Sequence, residues 1–280
     1  MLRQRVITAL LLVAVFLPAL FHPDPTGLAV LSLVLITAAG WEWGRLVGWS
    51  GRAAAGLGLT CLLTCLVSWR LGLPQAHVAQ LWWPLSLFWV LGSVWLLRRG
   101  LSGWGDLPQG LRAALGVLVL WGTWLALFEA KMIGTNFTLS VLLLVWAADI
   151  AAYFSGRAWG RRKLAPSISP GKTWEGAGGA VLGVLLLAWL WTRLDASQTD
   201  WSPSVYTLLF QAGWGLGLPA LLGLVAMSVM GDLVESLIKR SAGVKDSSQL
   251  LPGHGGVLDR VDALLPTLPL ALCLSLWVNS

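Results

Sequence analysis

Charge is scarce in this sequence. Asp, Glu, Lys and Arg make up 11% of the 280 residues, where a soluble domain carries about 25%. Cysteine is scarcer: there are three, and Cys61, Cys65 and Cys273 all stand in apolar stretches without metal-type spacing. Cys61 and Cys65 share a helix face, where packing is the expected role. These shortages exclude a disulfide scaffold and a soluble globular enzyme. What is present excludes a disordered chain, since 56% of residues are hydrophobic and the mean hydropathy is +0.74. Internal repeats, low-complexity tracts and a soluble domain are also lacking.

Apolar runs fall at roughly 6–21, 27–47, 53–69, 80–97, 111–130, 134–155, 176–193, 204–230 and 263–278. A membrane-crossing helix needs ~20 apolar residues, so nine would use about two-thirds of the chain. Barrel strands would alternate apolar and polar residues, whereas these runs are continuous. The expected fold is therefore all-α: a polytopic integral membrane protein of about nine transmembrane helices with a cytoplasmic N-terminus. The run at 53–69 is marginal. The run at 204–230 is long and interrupted by Gly and Pro219, so a kink or an extension beyond the membrane is expected. The first residues resemble the basic and apolar regions of a signal peptide, but no small-x-small cleavage site follows, so a retained first helix is expected.

With the N-terminus inside, 16 of the 19 basic residues fall on the cytoplasmic side. These are Arg3, Arg5, Arg45, Arg52, Arg98, Arg99, Arg112, Arg157, Arg161, Arg162, Lys163, Lys172, Lys239, Arg240, Lys245 and Arg260. Such a split is the mark of cytoplasmic loops. Residues 1–110 read as N-terminal transmembrane helices almost without features. Residues 111–280 carry the chemistry, at 149–176 and 231–262.

Three polar constellations stand out. Asp149 interrupts an apolar run ahead of Tyr153 and Arg157, and an acid at that depth is expensive. Its bland reading is an interfacial carboxylate paired with an arginine. The second runs from Ser169 through Gly171, Lys172 and Thr173 to Glu175 and Gly176. A P-loop is rejected, because that motif needs glycine where Pro166 stands, a preceding strand is not evident, and a membrane helix follows. Lys172, Thr173 and free amides at a helix start still suit a phosphate, against a simple capping turn. The third constellation places Asp232, Glu235, Ser236 and Lys239 at i, i+3, i+4 and i+7, one polar stripe on a helix. The Pro252-Gly-His254-Gly255-Gly256 turn then sends the chain back to Asp259 and Asp262. Carboxylates beside cations at a membrane surface outline a site for divalent metal and polyphosphate, and glycines let amides approach an anion. A solvated loop with local ion pairs is the plain alternative.

These residues resemble the phosphatidate cytidylyltransferases (CDP-diacylglycerol synthases). The family's C-terminal signature is met from Ser236 through Lys239-Arg240, Lys245-Asp246, Pro252 and His254-Gly255-Gly256 to Asp259-Arg260 and Asp262, without departure. The stretch from Leu164 to Gly176 and the group Asp149, Ala152-Tyr153 and Gly156-Arg157 are similar to the family's as well. Residues 1–130 add only Glu42-Trp43. The resemblance implies transfer of a cytidylyl group from CTP to phosphatidate, giving CDP-diacylglycerol and pyrophosphate, in a bacterial inner membrane. It also implies Mg²⁺ with a second cation, held by Asp232 and Asp259, and a homodimer among membrane lipids. Nucleic acid is not an expected partner.

On that reading Asp149, Glu235 and Asp262 are supporting acids, and Asp232, Asp259, Lys239 and Arg260 act at the reacting groups. Ser169, Lys172, Thr173, Arg240, Lys245, His254, Gly255 and Gly256 are substrate-binding candidates. A lipid phosphate is already anionic, so no activated nucleophile is needed. The task is to bring two polyanions together and stabilise the leaving pyrophosphate. A transporter would spread polar groups through the midplane of several helices, often in repeats, and a CDP-alcohol phosphotransferase would space its acids differently.

Overall fold

The computed structural model describes residues 2–76, 78–198 and 200–278, without the side chains of Leu2, Arg3, Arg5 and Val278. Each apolar run but 204–230 becomes one helix, and most breaks fall where the chain places proline or glycine. Helices α1 (Leu2–Phe21) and α2 (Thr26–Leu46) are parted by a turn containing Pro23 and Pro25. Gly48 and Gly51, both at positive φ, turn the chain into α3 (Gly51–Arg70). Next come α4 (Ala79–Gly105), α5 (Gln109–Ile133) and α6 (Thr135–Trp159). A short antiparallel hairpin follows, β1 (Lys163–Ala165) with β2 (Ser169–Thr173), pairing Lys163 with Thr173 and Ala165 with Ser169. The chain closes with α7 (Trp174–Ser197), α8 (Val205–Gln211), α9 (Trp214–Ser241), α10 (Leu258–Val261) and α11 (Leu264–Val278).

Eight helical segments are long and apolar enough to cross a membrane, and Val6–Phe21 is a shorter apolar helix. The all-α polytopic expectation is met. Helix α3, from the marginal run, is one of the eight. Two details differ from the sequence reading. The 204–230 run is not one helix: it breaks at Gly213 (φ +85°) into α8 and α9, Pro219 sits inside continuous α9, and α9 runs on beyond the apolar run to Ser241, as the extension expected from the sequence. The chain ahead of Lys172, expected to lack strands, forms the β1–β2 hairpin.

Backbone satisfaction matters here because lipid offers no replacement donors. Pro269 inside α11 has no N–H, which leaves the Leu265 carbonyl without its helical partner. The Thr123 hydroxyl of α5, which donates to the Val119 carbonyl at 2.7 Å, also comes within 3.3 Å of that carbonyl as a shared donor. Large apolar side chains such as Leu10, Val34, Leu63, Leu87 and Leu182 face outward, while Trp82, Trp124, Phe137 and Tyr206 are fully buried between helices.

Long-range hydrogen bonds sort the loops to two ends of the bundle. Thr8 donates to the Pro252 carbonyl, the Trp43 indole to that of Arg112, Ser241 to that of Leu101 and Arg240 to that of Ile168. These contacts gather the start of α1, the α2–α3 and α4–α5 turns, the hairpin and the 242–257 loop at one end. At the other end Lys131 donates to the Leu20 carbonyl at 2.6 Å. There Asn136 donates to Asp195 at 2.8 Å and to the Ser202 carbonyl at 2.7 Å. The grouping of basic residues expected from charge alone is thus a grouping in space. Arg3 and Arg5 follow the α1 backbone, their side chains lying outside the described residues.

Candidate active site

At the basic end a cavity of about 430 Å³ opens between α6, α7, α9 and the hairpin. Its depth comes from glycine. A side chain at Gly176 of α7 would stand 2.9 Å from the Ala152 carbonyl and 3.5 Å from the Gly156 Cα of α6. The two helices therefore close up only because those positions are bare. Thr173 caps α7, its hydroxyl accepting from the Gly176 amide at 3.0 Å. Glu175 accepts from the amides of Arg161 at 3.0 Å and Arg162 at 3.2 Å, fixing the hairpin against the end of α6. The hairpin so held carries Lys172 over the cavity.

Across the cavity stands α9. Gly231 meets α11 so closely that a Cβ would lie 2.6 Å from the Asp262 carbonyl and 2.8 Å from Pro266. Asp232 follows directly and forms an ion pair with Lys172 at 2.7 Å. Asp149, Tyr153 and Arg157 line the same cavity from α6, with Arg157 donating to the Tyr153 hydroxyl at 3.1 Å. Asp149 lies within electrostatic reach of Asp232, Lys172 and Arg260, and Asp262 within reach of Asp232 and Asp149.

The second group lies beside this cavity and is more enclosed. Lys239 is placed between Glu235, at 2.5 Å, and Asp259, at 2.6 Å. The other contacts of Asp259 hold the glycine turn: its carboxylate accepts from the Ser247 amide and hydroxyl at 3.0 Å and from the Gly256 amide at 2.7 Å. Gly255 takes φ +80° there. Arg260 grips the His254 carbonyl through Nε at 3.0 Å and Nη2 at 2.7 Å. Asp232 faces the open cavity, whereas both oxygens of Asp259 already have protein donors.

Of the other binding candidates, Ser169, Lys172 and Thr173 line the cavity, with Thr173 serving as helix cap. Arg240 spends its guanidinium on the carbonyls of Ile168 and Val244, tying the hairpin to α9. Lys245 lines a separate surface hollow with Arg45. His254, Gly255 and Gly256 form the turn itself.

Sequence reasoning passed lightly over one densely connected carboxylate of this end. Glu42 of α2 is fully buried. It accepts from Ser248 Oγ, from Ser247 Oγ at 3.2 Å, from the Val257 amide at 3.0 Å and from the Leu258 amide at 2.7 Å. A Cβ on Gly256 would collide with it. One acid from the N-terminal helices therefore fastens both limbs of the turn that carries Asp259. The signal that could have found it was available: an unpaired acid inside an apolar run is functional by default.

Whether these residues fit Mg²⁺ is a question of donor chemistry. Among the described residues no group of three or more His, Cys, Asp or Glu could form an all-protein cage. Mg²⁺ does not require one, since it takes one or two carboxylates and fills the remaining positions with water and substrate phosphate. Asp232 and Asp149, both lining a cavity that also offers Lys172 and Arg157, fit that demand.

The fold and the cavity define a class: a multi-pass membrane protein with a carboxylate-and-cation site at one end of its helix bundle, suited to phosphate substrates. Residues 3–277 match the model described as Cytidylyltransferase family. A phosphatidate cytidylyltransferase of Pseudomonas aeruginosa is 39% identical over 287 residues, covering 99% of this chain and 97% of its own. One from Haemophilus influenzae is 34% identical, covering 96% of each chain. One from Bacillus subtilis is 39% identical over 136 residues, or 49% of this chain. The chain belongs to the cytidylyltransferase family, and its enzyme class is nucleotidyltransferase.

Proposed function

We propose that this protein transfers the cytidylyl group of CTP to phosphatidate, giving CDP-diacylglycerol and pyrophosphate at the cytoplasmic face of a bacterial inner membrane. The observation that carries the reading is the cavity holding Asp149, Asp232 and Lys172 together at the basic end of a membrane bundle. A phosphatidate oxygen attacks the α-phosphorus of CTP. The bond from that phosphorus to the β-bridging oxygen breaks, and the electron pair leaves with pyrophosphate. No side chain has to create the nucleophile, because a phosphate monoester is already anionic. Arg157 and Lys172 lower the repulsion between the two anions, and Lys172 exchanges Asp232 for a phosphate oxygen when substrate arrives.

Asp232, with Asp149 beside it, would hold Mg²⁺, which supplies charge neutralisation on the departing phosphates when bound. Asp259 would serve a second cation only by releasing Lys239 or the Ser247 and Gly256 donors; as it stands it fixes the glycine turn. The homodimer is likewise part of this proposal. Purified protein in detergent should release pyrophosphate only when CTP, phosphatidate and Mg²⁺ are all supplied. Release without phosphatidate would overturn the reading.

Lys172→Ala tests the phosphate contact. Losing a charge-assisted hydrogen bond costs ~1.5–3 kcal/mol, so kcat/KM should fall roughly 10- to 100-fold in protein that keeps its melting temperature. Unchanged kinetics would leave Lys172 as a topology charge paired with Asp232.

Orientation is tested by labelling intact cells. A cysteine replacing Ser197, exposed at the Asn136 end, should react with an impermeant maleimide from outside. One replacing Gln249, exposed at the basic end, should react only after permeabilisation. The reverse pattern would invert the molecule.

A further inference from the structure

The ion pair between Lys172 and Asp232 joins two charges that cytidylyl transfer would use separately, one on phosphate and one on metal. Asp232 engages both of its oxygens within the protein. Oδ2 takes the Lys172 ammonium at 2.7 Å, and Oδ1 accepts from the Ser236 hydroxyl at 3.3 Å. Asp149, which lines the same cavity from α6, lies within electrostatic reach of that ammonium. Lys172 is thus the counter-cation of two carboxylates that would otherwise repel each other.

The neighbouring cations are placed differently. Arg157 lines the cavity too, but it donates to the Tyr153 hydroxyl. Arg260 holds the His254 carbonyl, and Lys239 lies between Glu235 and Asp259. Among the described residues Lys172 is the cation paired with Asp232. While Asp232 holds an ammonium it cannot give its full charge to a divalent ion.

The backbone around Lys172 is held at three points, so any exchange falls to the side chain. Thr173 caps α7, Glu175 fixes the hairpin to the end of α6, and Arg240 ties the hairpin turn to α9. Gly171, which also lines the cavity, has open space where a side chain would stand. Lysine is a compact charge on a flexible stem with three donors. It can leave Asp232 by rotating alone, with the hairpin in place.

We propose that Lys172 is a built-in stand-in for the divalent ion: it neutralises Asp232 and Asp149 until a substrate phosphate takes its ammonium, and so competes with free metal for Asp232. The proposal rests on the reading of this cavity as the metal and phosphate site. It gives Lys172 a role that contact with substrate alone would not: removing the lysine strengthens metal binding even though it lowers kcat/KM.

The test is a Mn²⁺ titration of the purified full chain in detergent, without nucleotide or lipid. Free Mn²⁺ is read from its electron paramagnetic resonance signal. Lys172→Met should bind Mn²⁺ roughly tenfold tighter than wild type. Lys172→Arg, which keeps the charge, should stay within about twofold of wild type. Adding Asp232→Asn to Lys172→Met should abolish the gain. Arg157→Met removes a cation of the same cavity that does not pair with Asp232, and should gain less than about twofold. Size-exclusion profiles and melting temperatures report folding. Folded Lys172→Met that binds Mn²⁺ no tighter than wild type would overturn the proposal. So would an equal gain in Arg157→Met, which would trace the effect to the overall field of the cavity, or a gain that survives Asp232→Asn. Pyrophosphate release is read separately, so each of these failures leaves the cytidylyl-transfer reading to its own assay.

Discussion

Asp232→Asn is expected to lower turnover at saturating CTP and phosphatidate on the order of 100-fold or more, ~2.7 kcal/mol at the barrier, while leaving the melting temperature nearly unchanged. Asparagine keeps the size and can still accept from Ser236, which contacts Asp232 Oδ1 at 3.3 Å. It removes the anionic oxygen that a hard cation prefers. The side chain is 29% exposed and its ion-pair partner Lys172 is 23% exposed, so the folded state depends little on the pair. Asp259→Asn should behave differently. That carboxylate receives Lys239, Ser247 and Gly256, so its loss should lower the melting temperature as well as activity. Titrating Mg²⁺ separates the two: if Asp232 ligates the ion, its variant loses Mg²⁺ response first. If both act through shared cations, the double variant is little worse than the weaker single one. Near-normal turnover in folded Asp232→Asn would remove the metal assignment.

Glu42→Ala is expected to have the largest effect on stability. It would strand the Ser248 hydroxyl and two backbone amides in a buried place, and leave the Ser247 hydroxyl to Asp259 alone. Hydrogen bonds to a charged group are each worth ~1.5–3 kcal/mol and do not simply add within one network. A fall in melting temperature of roughly 5–10 °C is expected, with a larger fall in kcat than in KM. Glu42 does not line the cavity of Asp149 and Asp232, so the effect on turnover is expected to come through the turn holding Asp259. Glu42→Gln, which keeps an acceptor oxygen, should recover part of both. A Glu42→Ala protein with wild-type stability and kcat would show that the turn holds itself.

The helices and the gathering of the basic loops at one end of the bundle were legible because both follow from one-dimensional signals: uninterrupted apolar length and the placement of Lys and Arg. The 232–239 stripe was legible for the same reason, since α9 continues unbroken through it. The 204–230 run reads as one kinked or extended helix because its apolar character is unbroken, yet Gly213 at positive φ opens the chain there while Pro219 is accommodated within α9. The hairpin before α7 was missed because its strands are three and five residues long and show no alternation to read. Partners remote in sequence were beyond reach: nothing local announces that Lys172 meets Asp232, or that Glu42 meets the Gly255-Gly256 turn. The two acids joined in the sequence reading, Asp232 and Asp259, proved to have different neighbours: Asp232 on α9 pairs with Lys172 over the cavity, while Asp259 on α10 is held by Lys239 and the glycine turn.

The most direct test of the account follows the phosphorus atoms of CTP. Purified protein is given phosphatidate, Mg²⁺ and CTP labelled at either the α- or the γ-phosphate, and the products are partitioned between chloroform and water. The account predicts that α-label enters the lipid phase with phosphatidate consumed one for one, and that γ-label appears in the water phase as pyrophosphate. Gamma-label in the lipid, or α-label left in the water as CDP, would mean phosphoryl rather than cytidylyl transfer and would contradict it.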